Sequence, residues 1–360
     1  MRSRLTVTIA ALTIVTLACG RSAELQDTSD ISYRAPGEVT RDLPPDDLAP
    51  PISKAELASF QPLPSAMVRG AEQPTKAQVD LGRRLFHETL LSEKHDVSCN
   101  SCHPLNGYGA DGRRVSLGTV GQTGGRNAPT VYNAAGHMAQ FWDGRAASVE
   151  EQAKGPILNP AEMAMPDSSE VLQHLRNSPE YRPAFHEAFP GETNPVTYEN
   201  VGRAIGAFER GLVTPARWDA YLTGDTAKLS GAEQRGLVLF VRAGCSSCHS
   251  GAYVGGQSFQ KLGARLAWPV ATDSGRFNVT HKPTDLYVFK VASLRNVEKT
   301  APYFHDGSVP TLPQAVRLMG RHQLAVDLTE DQVRDIRLYL GSLTGQIPAG
   351  YIAEPPLPGR

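Results

Sequence analysis

The sequence lacks an excess of charge of either sign. It has 36 Lys and Arg against 37 Asp and Glu, a net charge of −1 over 360 residues. A nucleic-acid binder normally carries a clear basic excess, so no nucleic-acid partner is expected. Cysteine is scarce as well. The five present are Cys19, Cys99, Cys102, Cys245 and Cys248, too few for a disulfide-stapled scaffold. The N-terminal apolar run, Leu5 to Ala18, has 14 residues, where about 20 are needed to span a bilayer. Strand signals are few and short. What remains is ordinary for a soluble globular protein, 40% hydrophobic and 20% charged. Its 33 Gly and 27 Pro point to long ordered connections, and its length allows two or three domains.

Arg2 and Arg4 ahead of that short apolar run have the pattern of a secretory signal. Thr16-Leu17-Ala18-Cys19 resembles a bacterial lipobox with an atypical first position. Residues 1–19 are therefore expected to be a signal peptide with its lipobox, cleaved either before Cys19, which then receives lipid, or by ordinary signal cleavage nearby. The alternative is an N-terminal transmembrane anchor. Either main reading exports the chain, to a periplasmic location that a lipid at Cys19 would tether to a membrane. Residues 20–70 contain Pro36, Pro44, Pro45, Pro50, Pro51, Pro62 and Pro64 and no apolar periodicity. They are expected to be a mostly extended or disordered tether.

The remaining four cysteines fall into two identical patterns, Cys99-Asn100-Ser101-Cys102-His103 and Cys245-Ser246-Ser247-Cys248-His249. C-x-x-C-H is the attachment signature of c-type haem. Two thiols at this spacing can each bond one vinyl group, and the adjacent His ligates the iron. A zinc site would leave both histidines unexplained. A redox dithiol would normally sit on a βαβ unit, and no strand-rich pattern surrounds either motif. Two covalent haems are expected.

The surroundings of the motifs repeat. Gly82-Arg83-Arg84-Leu85-Phe86 is echoed by Gly236-Leu237-Val238-Leu239-Phe240. Downstream, Arg126-Asn127 is echoed by Arg295-Asn296, Phe141-Trp142-Asp143-Gly144 by Phe304-His305-Asp306-Gly307, and Gln152-Ala153 by Gln314-Ala315. The order is kept throughout, as an internal duplication would leave it. Helices are expected over 75–88, 168–188 and 196–211, and from capping boxes at Ser230 and Thr329. The second box leads a face of Val333, Ile336, Leu340 and Leu343. The expected fold is mainly α and loop-rich, with two cytochrome c-like haem domains related by duplication. Their expected bounds are 71–215 and 216–345, followed by a tail at 346–360.

The stretch from Gly125-Arg126-Asn127-Ala128-Pro129-Thr130 through Gln140-Phe141-Trp142-Asp143-Gly144-Arg145 to Glu151-Gln152-Ala153-Lys154-Gly155-Pro156 resembles the bacterial di-haem cytochrome c peroxidases. So does Leu294-Arg295-Asn296-Val297 with Thr300-Ala301-Pro302-Tyr303-Phe304-His305-Asp306-Gly307. The resemblance spans about Ala71 to Leu343. It implies reduction of hydrogen peroxide to water at the N-terminal haem. Electrons would enter at the C-terminal haem from a small periplasmic c-type cytochrome or cupredoxin. It implies His103 and His249 as proximal ligands and Met319 as the second ligand of the C-terminal iron, with His322 as competitor. It further implies Glu162 and Gln152 as the catalytic carboxylate and amide, and Trp142 between the haems. One calcium ion would be held by Asn127 and the backbone oxygens of Thr300 and Pro302. A homodimer is expected.

One position departs from the pattern. Many members carry a His that caps the peroxidatic iron until the second haem is reduced, and here the matching residue is Thr119. This resembles relatives whose reactive haem stays open, such as the tryptophylquinone-forming di-haem enzymes, which oxidise a partner protein. His137 and His95 are the candidate substitute ligands. An oxidase that modifies a partner's tryptophan and a non-enzymatic electron carrier are the alternatives. Glu162 and Gln152 argue against the carrier. Met319 argues against the oxidase, because the tryptophylquinone-forming relatives use a Tyr at the matching position.

Overall fold

The computed structural model describes Leu43 and residues 51–67, 73–269 and 272–357, all within one unit from Gly37 to Arg360. The expected signal segment, Cys19 and most of the expected tether lie outside the described residues. No helix among the described residues is long and apolar enough to cross a membrane.

The helices start where side chains can satisfy the free N–H groups of a first turn. Helix α1 (Lys54–Leu57) is closed by a Ser53/Glu56 capping box, and α2 (Lys76–His87) by Thr75/Gln78. The C-x-x-C residues of the first motif form the single turn α3 (Cys99–Cys102). Then come α4 (Val149–Leu158), α5 (Ser168–Asn177), α6 (Tyr181–Ala188), α7 (Tyr198–Glu209) and α8 (Arg217–Leu222). Helix α9 (Gly231–Ala243) opens on the expected Ser230/Glu233 box and ends at Gly244, φ 105°. Strand β1 (Phe259–Lys261), the turn α10 (Phe277–Thr280) and strand β2 (Val288–Lys290) follow. The strands pair antiparallel with Phe259 opposite Lys290. Helices α11 (Leu312–Leu324), α12 (Glu330–Gly341) and α13 (Ala349–Ile352) complete the chain, α12 starting at the expected Thr329/Gln332 box. The fold is mainly helical and rich in loops, as expected.

Two helix pairs organise two cores. Leu81, Leu85 and Phe86 of α2 meet Val201, Ala204, Ile205 and Phe208 of α7 in the first. Leu237, Leu239 and Phe240 of α9 meet Val333, Ile336, Tyr339 and Leu340 of α12 in the second. Each crossing has a glycine at its closest approach. A Cβ on Gly82 would lie 1.8 Å from the Ala204 carbonyl oxygen, and one on Gly236 would lie 1.9 Å from that of Asp335. The cores meet at Thr214. Its hydroxyl accepts from Asn133 Nδ2 at 2.8 Å and from Asn296 Nδ2 at 2.9 Å.

Three expectations are corrected. The expected helix over 168–188 is two, α5 and α6. Ser178 takes an extended conformation (φ −78°, ψ 124°), as a residue before proline prefers, here Pro179. The expected tether is not free over 51–67. Phe60 is buried edge-on against Trp218 at 5.3 Å, and Met67 N–H donates to the Arg210 carbonyl. The expected tail folds back on the first core, where Tyr351 stacks on Phe208 and its hydroxyl donates to the Phe208 carbonyl at 2.7 Å.

Candidate functional site

Both C-x-x-C-H motifs open on one cavity of about 870 Å³, lined by residues of both halves. Cys99, Cys102, His103, Cys245, Cys248 and His249 all line it, and the four thiols form no disulfide. The two histidines are fixed in the same way. His103 Nδ1 lies 3.1 Å from the Gly109 carbonyl oxygen, and His249 Nδ1 lies 3.0 Å from that of Ala292. A carbonyl only accepts, so Nδ1 carries the proton and Nε2 keeps its lone pair. Burial holds both rings neutral, His249 down to about 4, which is the form that ligates a metal. Two pairs of thiols outside any disulfide, an Nε2 with its lone pair beside each pair and a cavity joining them fit two c-type haems.

Met319 and His322 lie on α11, three residues apart. Met319 lines the cavity. His322 is buried outside that lining, its Nδ1 3.2 Å from the Leu266 carbonyl oxygen and its ring against Trp268. Of the two, Met319 is the one placed to reach a haem.

Gln152 of α4 and Glu162, in the loop after it, line the N-terminal part of the cavity together with Phe141 and Arg145. Asn159 Nδ2 donates to Glu162 Oε1 at 2.7 Å. Burial raises the Glu162 carboxyl above its ordinary range, against the opposing pull of Asn159 and Arg145. Trp142 lines the cavity and donates from Nε1 to the Asn127 carbonyl at 2.9 Å.

Thr119 is turned away from this cavity. Its hydroxyl donates to Asp96 Oδ1 and accepts from Lys94 N–H at 3.2 Å, while its own N–H donates to the Glu162 carbonyl at 2.8 Å. The loop can lie this close because residue 118 is glycine. A Cβ there would be 2.3 Å from the Ala161 carbonyl oxygen. His95 packs on His174 at 4.9 Å and does not line the cavity. His137 does line it, but its Nδ1 is engaged by Lys290 Nζ at 3.3 Å.

Asn127, Thr300 and Pro302, the expected calcium ligands, all line the cavity. Asn127 Nδ2 donates to the Arg113 carbonyl at 2.9 Å, which leaves Oδ1 as the accepting end of the amide. Amide and carbonyl oxygens suit a hard cation such as Ca²⁺. Sequence reasoning missed Glu209, Lys290 and Asn159. Glu209 is buried on α7 facing the cavity, and desolvation with help from Glu150, against Arg210, lifts its carboxyl to about 8. No local pattern marked it, whereas Asn159 could have been found from its place three residues before Glu162.

The profile of the family described as di-haem cytochrome c peroxidase matches residues 76–227. A cytochrome c551 peroxidase of Pseudomonas aeruginosa is 44% identical over 313 residues, covering 83% of this chain and 90% of that one. A methylamine utilization protein MauG of Methylorubrum extorquens is 37% identical over 243 residues, covering 66% and 67%. The crystal structure of a MauG-like protein associated with microbial copper homeostasis superposes with a TM-score of 0.73 at 30% identity. That match covers 81% of this chain and 97% of the other.

Proposed function

The chain belongs to the di-haem cytochrome c peroxidase family, and we propose that it reduces hydrogen peroxide to two waters with two electrons from a small periplasmic redox protein. The observation that carries this reading is the one cavity onto which both C-x-x-C-H motifs open beside a half-buried carboxylate, Glu162. When bound, the N-terminal haem supplies the iron at which the O–O bond is split, and the C-terminal haem supplies electrons. The rest is the work of side chains. Glu162 takes a proton from the near oxygen of peroxide and returns it to the far one. Its raised pKa brings it closer to the operating pH, where proton transfer is most effective. Asn159 fixes its orientation. The Gln152 amide donates to the oxygen on which charge develops. Met319 completes the second haem, and a His/Met pair raises its potential. Trp142 lies on the path between the two.

Thr119 makes the peroxidatic site open from the start. A distal His would block peroxide until it left, whereas Thr119 is a poor iron ligand and is tied to Asp96 and Glu162. The ferric N-terminal haem is expected to be high-spin. An EPR spectrum of the fully oxidised protein, followed by mixing with peroxide without reductant, tests this. A wholly low-spin spectrum with no reaction overturns it. The same open site favours a second reading, oxidation of a partner protein's tryptophan, which Met319 opposes. Steady-state turnover of a reduced c-type cytochrome with peroxide separates the two.

The remaining parts of the proposal have narrower support. Duplication of one haem unit is supported by the matched crossings at Gly82 and Gly236 and by the matched donors Asn133 and Asn296 on Thr214. Thr214 sits at the expected boundary between 71–215 and 216–345. Calcium binding by Asn127, Thr300 and Pro302 is supported by their common place on the cavity wall, and metal analysis after chelation tests it. The lipid anchor at Cys19 rests on the sequence pattern. The dimer rests on the family resemblance.

A further inference from the structure

Lys290 ends β2 at the seam between the halves, and its side chain lines the cavity onto which both haem motifs open. Its backbone N–H donates to the Trp142 carbonyl at 2.8 Å, which holds the strand against the tryptophan segment. Two residues on, the Ala292 carbonyl fixes His249. Among the described residues, the ammonium makes one hydrogen bond, to His137 Nδ1 at 3.3 Å. No carboxylate among the described residues forms an ion pair with it. Burial alone lowers its pKa, to about 8, so it still carries its charge at neutral pH. An ammonium has three donors, and a half-buried charge drawn away from water on a cavity wall is disfavoured without a counter-charge. Among the described residues, one cation and two of its donors go unanswered on the cavity wall.

His137 is arranged to aim that cation. An ammonium has no lone pair, so Lys290 donates and Nδ1 accepts. Neutral imidazole then carries its proton on Nε2. That atom is buried without a partner against the backbone of Gly256. The tautomer is the reverse of that at His103 and His249, whose Nε2 is left free for iron. His137 is therefore not a substitute haem ligand. Its ring is wedged against Tyr253 with centroids 5.7 Å apart, which leaves it little freedom to turn.

We infer that Lys290 binds a haem propionate at the seam between the two halves, with His137 as the residue that positions it. The inference rests on the presence of two covalent haems, because each haem brings carboxylates and the described residues supply none to this ammonium. A fixed positive charge beside a haem stabilises its reduced form, which has one electron more than the oxidised form. Lys290 thus raises the potential of the haem whose propionate it holds.

The test is a potentiometric titration of both haems in the holoprotein, with haem counted by pyridine haemochrome. In Lys290→Met, two haems per chain and a lowered potential for one of them are expected, with Lys290→Arg restoring most of the shift. His137→Phe is expected to lower the same potential, and His137→Gln, which keeps an acceptor for the ammonium, to lower it less. Unchanged potentials in Lys290→Met with both haems bound overturn the inference. If that variant does not accumulate, equal potentials in His137→Phe and His137→Gln overturn it instead. Loss of a low-spin EPR signal in His137→Phe would identify the ring as an iron ligand and also overturn it. A parent protein without two haems overturns the di-haem reading itself, a separate result.

Discussion

At the scale of single residues, two carboxylates, the half-buried Glu162 and the buried Glu209, face the same cavity under different electrostatic conditions. Glu162 has Asn159 and Arg145 to stabilise its charge, which only partly offset the cost of burial. Glu162→Gln removes the base and keeps the shape. Turnover is expected to fall roughly 10²- to 10⁴-fold with haem content and spectra unchanged, as a steady-state peroxide assay would show. The parent's activity is expected to fall as pH drops through the raised pKa, because only the ionised form accepts a proton. Glu209 has no such stabilising partner beyond Arg210, and Glu150 adds a like charge. Between the ordinary value of 4.5 and about 8, the folded protein holds a proton that the unfolded chain has lost. Stability therefore falls as pH rises through that window, on the order of 1.4 kcal/mol per pH unit at most. Glu209→Gln is expected to flatten this slope and to raise the melting temperature at pH 8. Thermal melts across pH 5–8 that keep the parent's slope would show that Glu209 is ionised in the fold.

At the scale of elements, the two helix pairs depend on glycine more than on any single large side chain. Gly236→Ala places a methyl within 1.9 Å of the Asp335 carbonyl oxygen. The other side of this contact is helix backbone, which cannot swing aside. A cost of about 1–3 kcal/mol is expected. Because α9 leads directly into Cys245, a fall in haem incorporation at the second motif is expected with it. Denaturant unfolding together with a haemochrome count checks both. The break between α5 and α6 belongs to this scale too. It is a local effect of Pro179 and costs the core nothing, since Val171, Leu175, Tyr181 and Phe185 all remain buried.

At the scale of the whole molecule, the segment 51–67 packs on both halves. Phe60 enters the second core against Trp218, and Leu63 N–H donates to Asp219 Oδ1 at 2.7 Å. Asp219 also receives both terminal nitrogens of Arg295, at 2.7 and 2.9 Å. The Arg295 side chain has no exposed surface. Arg210, at the end of α7, donates to the Met67 carbonyl at 3.0 Å. Phe60→Ala is expected to cost about 3 kcal/mol and to make the 51–67 segment more sensitive to limited proteolysis. An unchanged unfolding midpoint would mean that the segment adds nothing to the stability of the second half.

The sequence by itself determined the two C-x-x-C-H motifs, the helix starts and the catalytic candidates. Each of these is written within a few adjacent residues. C-x-x-C-H is a contiguous attachment chemistry, and a capping box is a four-residue exchange of hydrogen bonds. Glu162 and Gln152 stand inside a long ordered motif. Tertiary structure decided what depends on groups far apart in the chain. Met319 was separated from His322 by which of them reaches the cavity, and that depends on Leu266 and Trp268 holding His322 elsewhere. Thr119 could be read as the absence of a ligand, but its attachment to Asp96 and Glu162 emerged only when the two loops met. Lys290 and His137 are 153 residues apart. A half-buried ammonium that meets no carboxylate among the described residues is a property of the space around it, and no run of adjacent residues encodes that space.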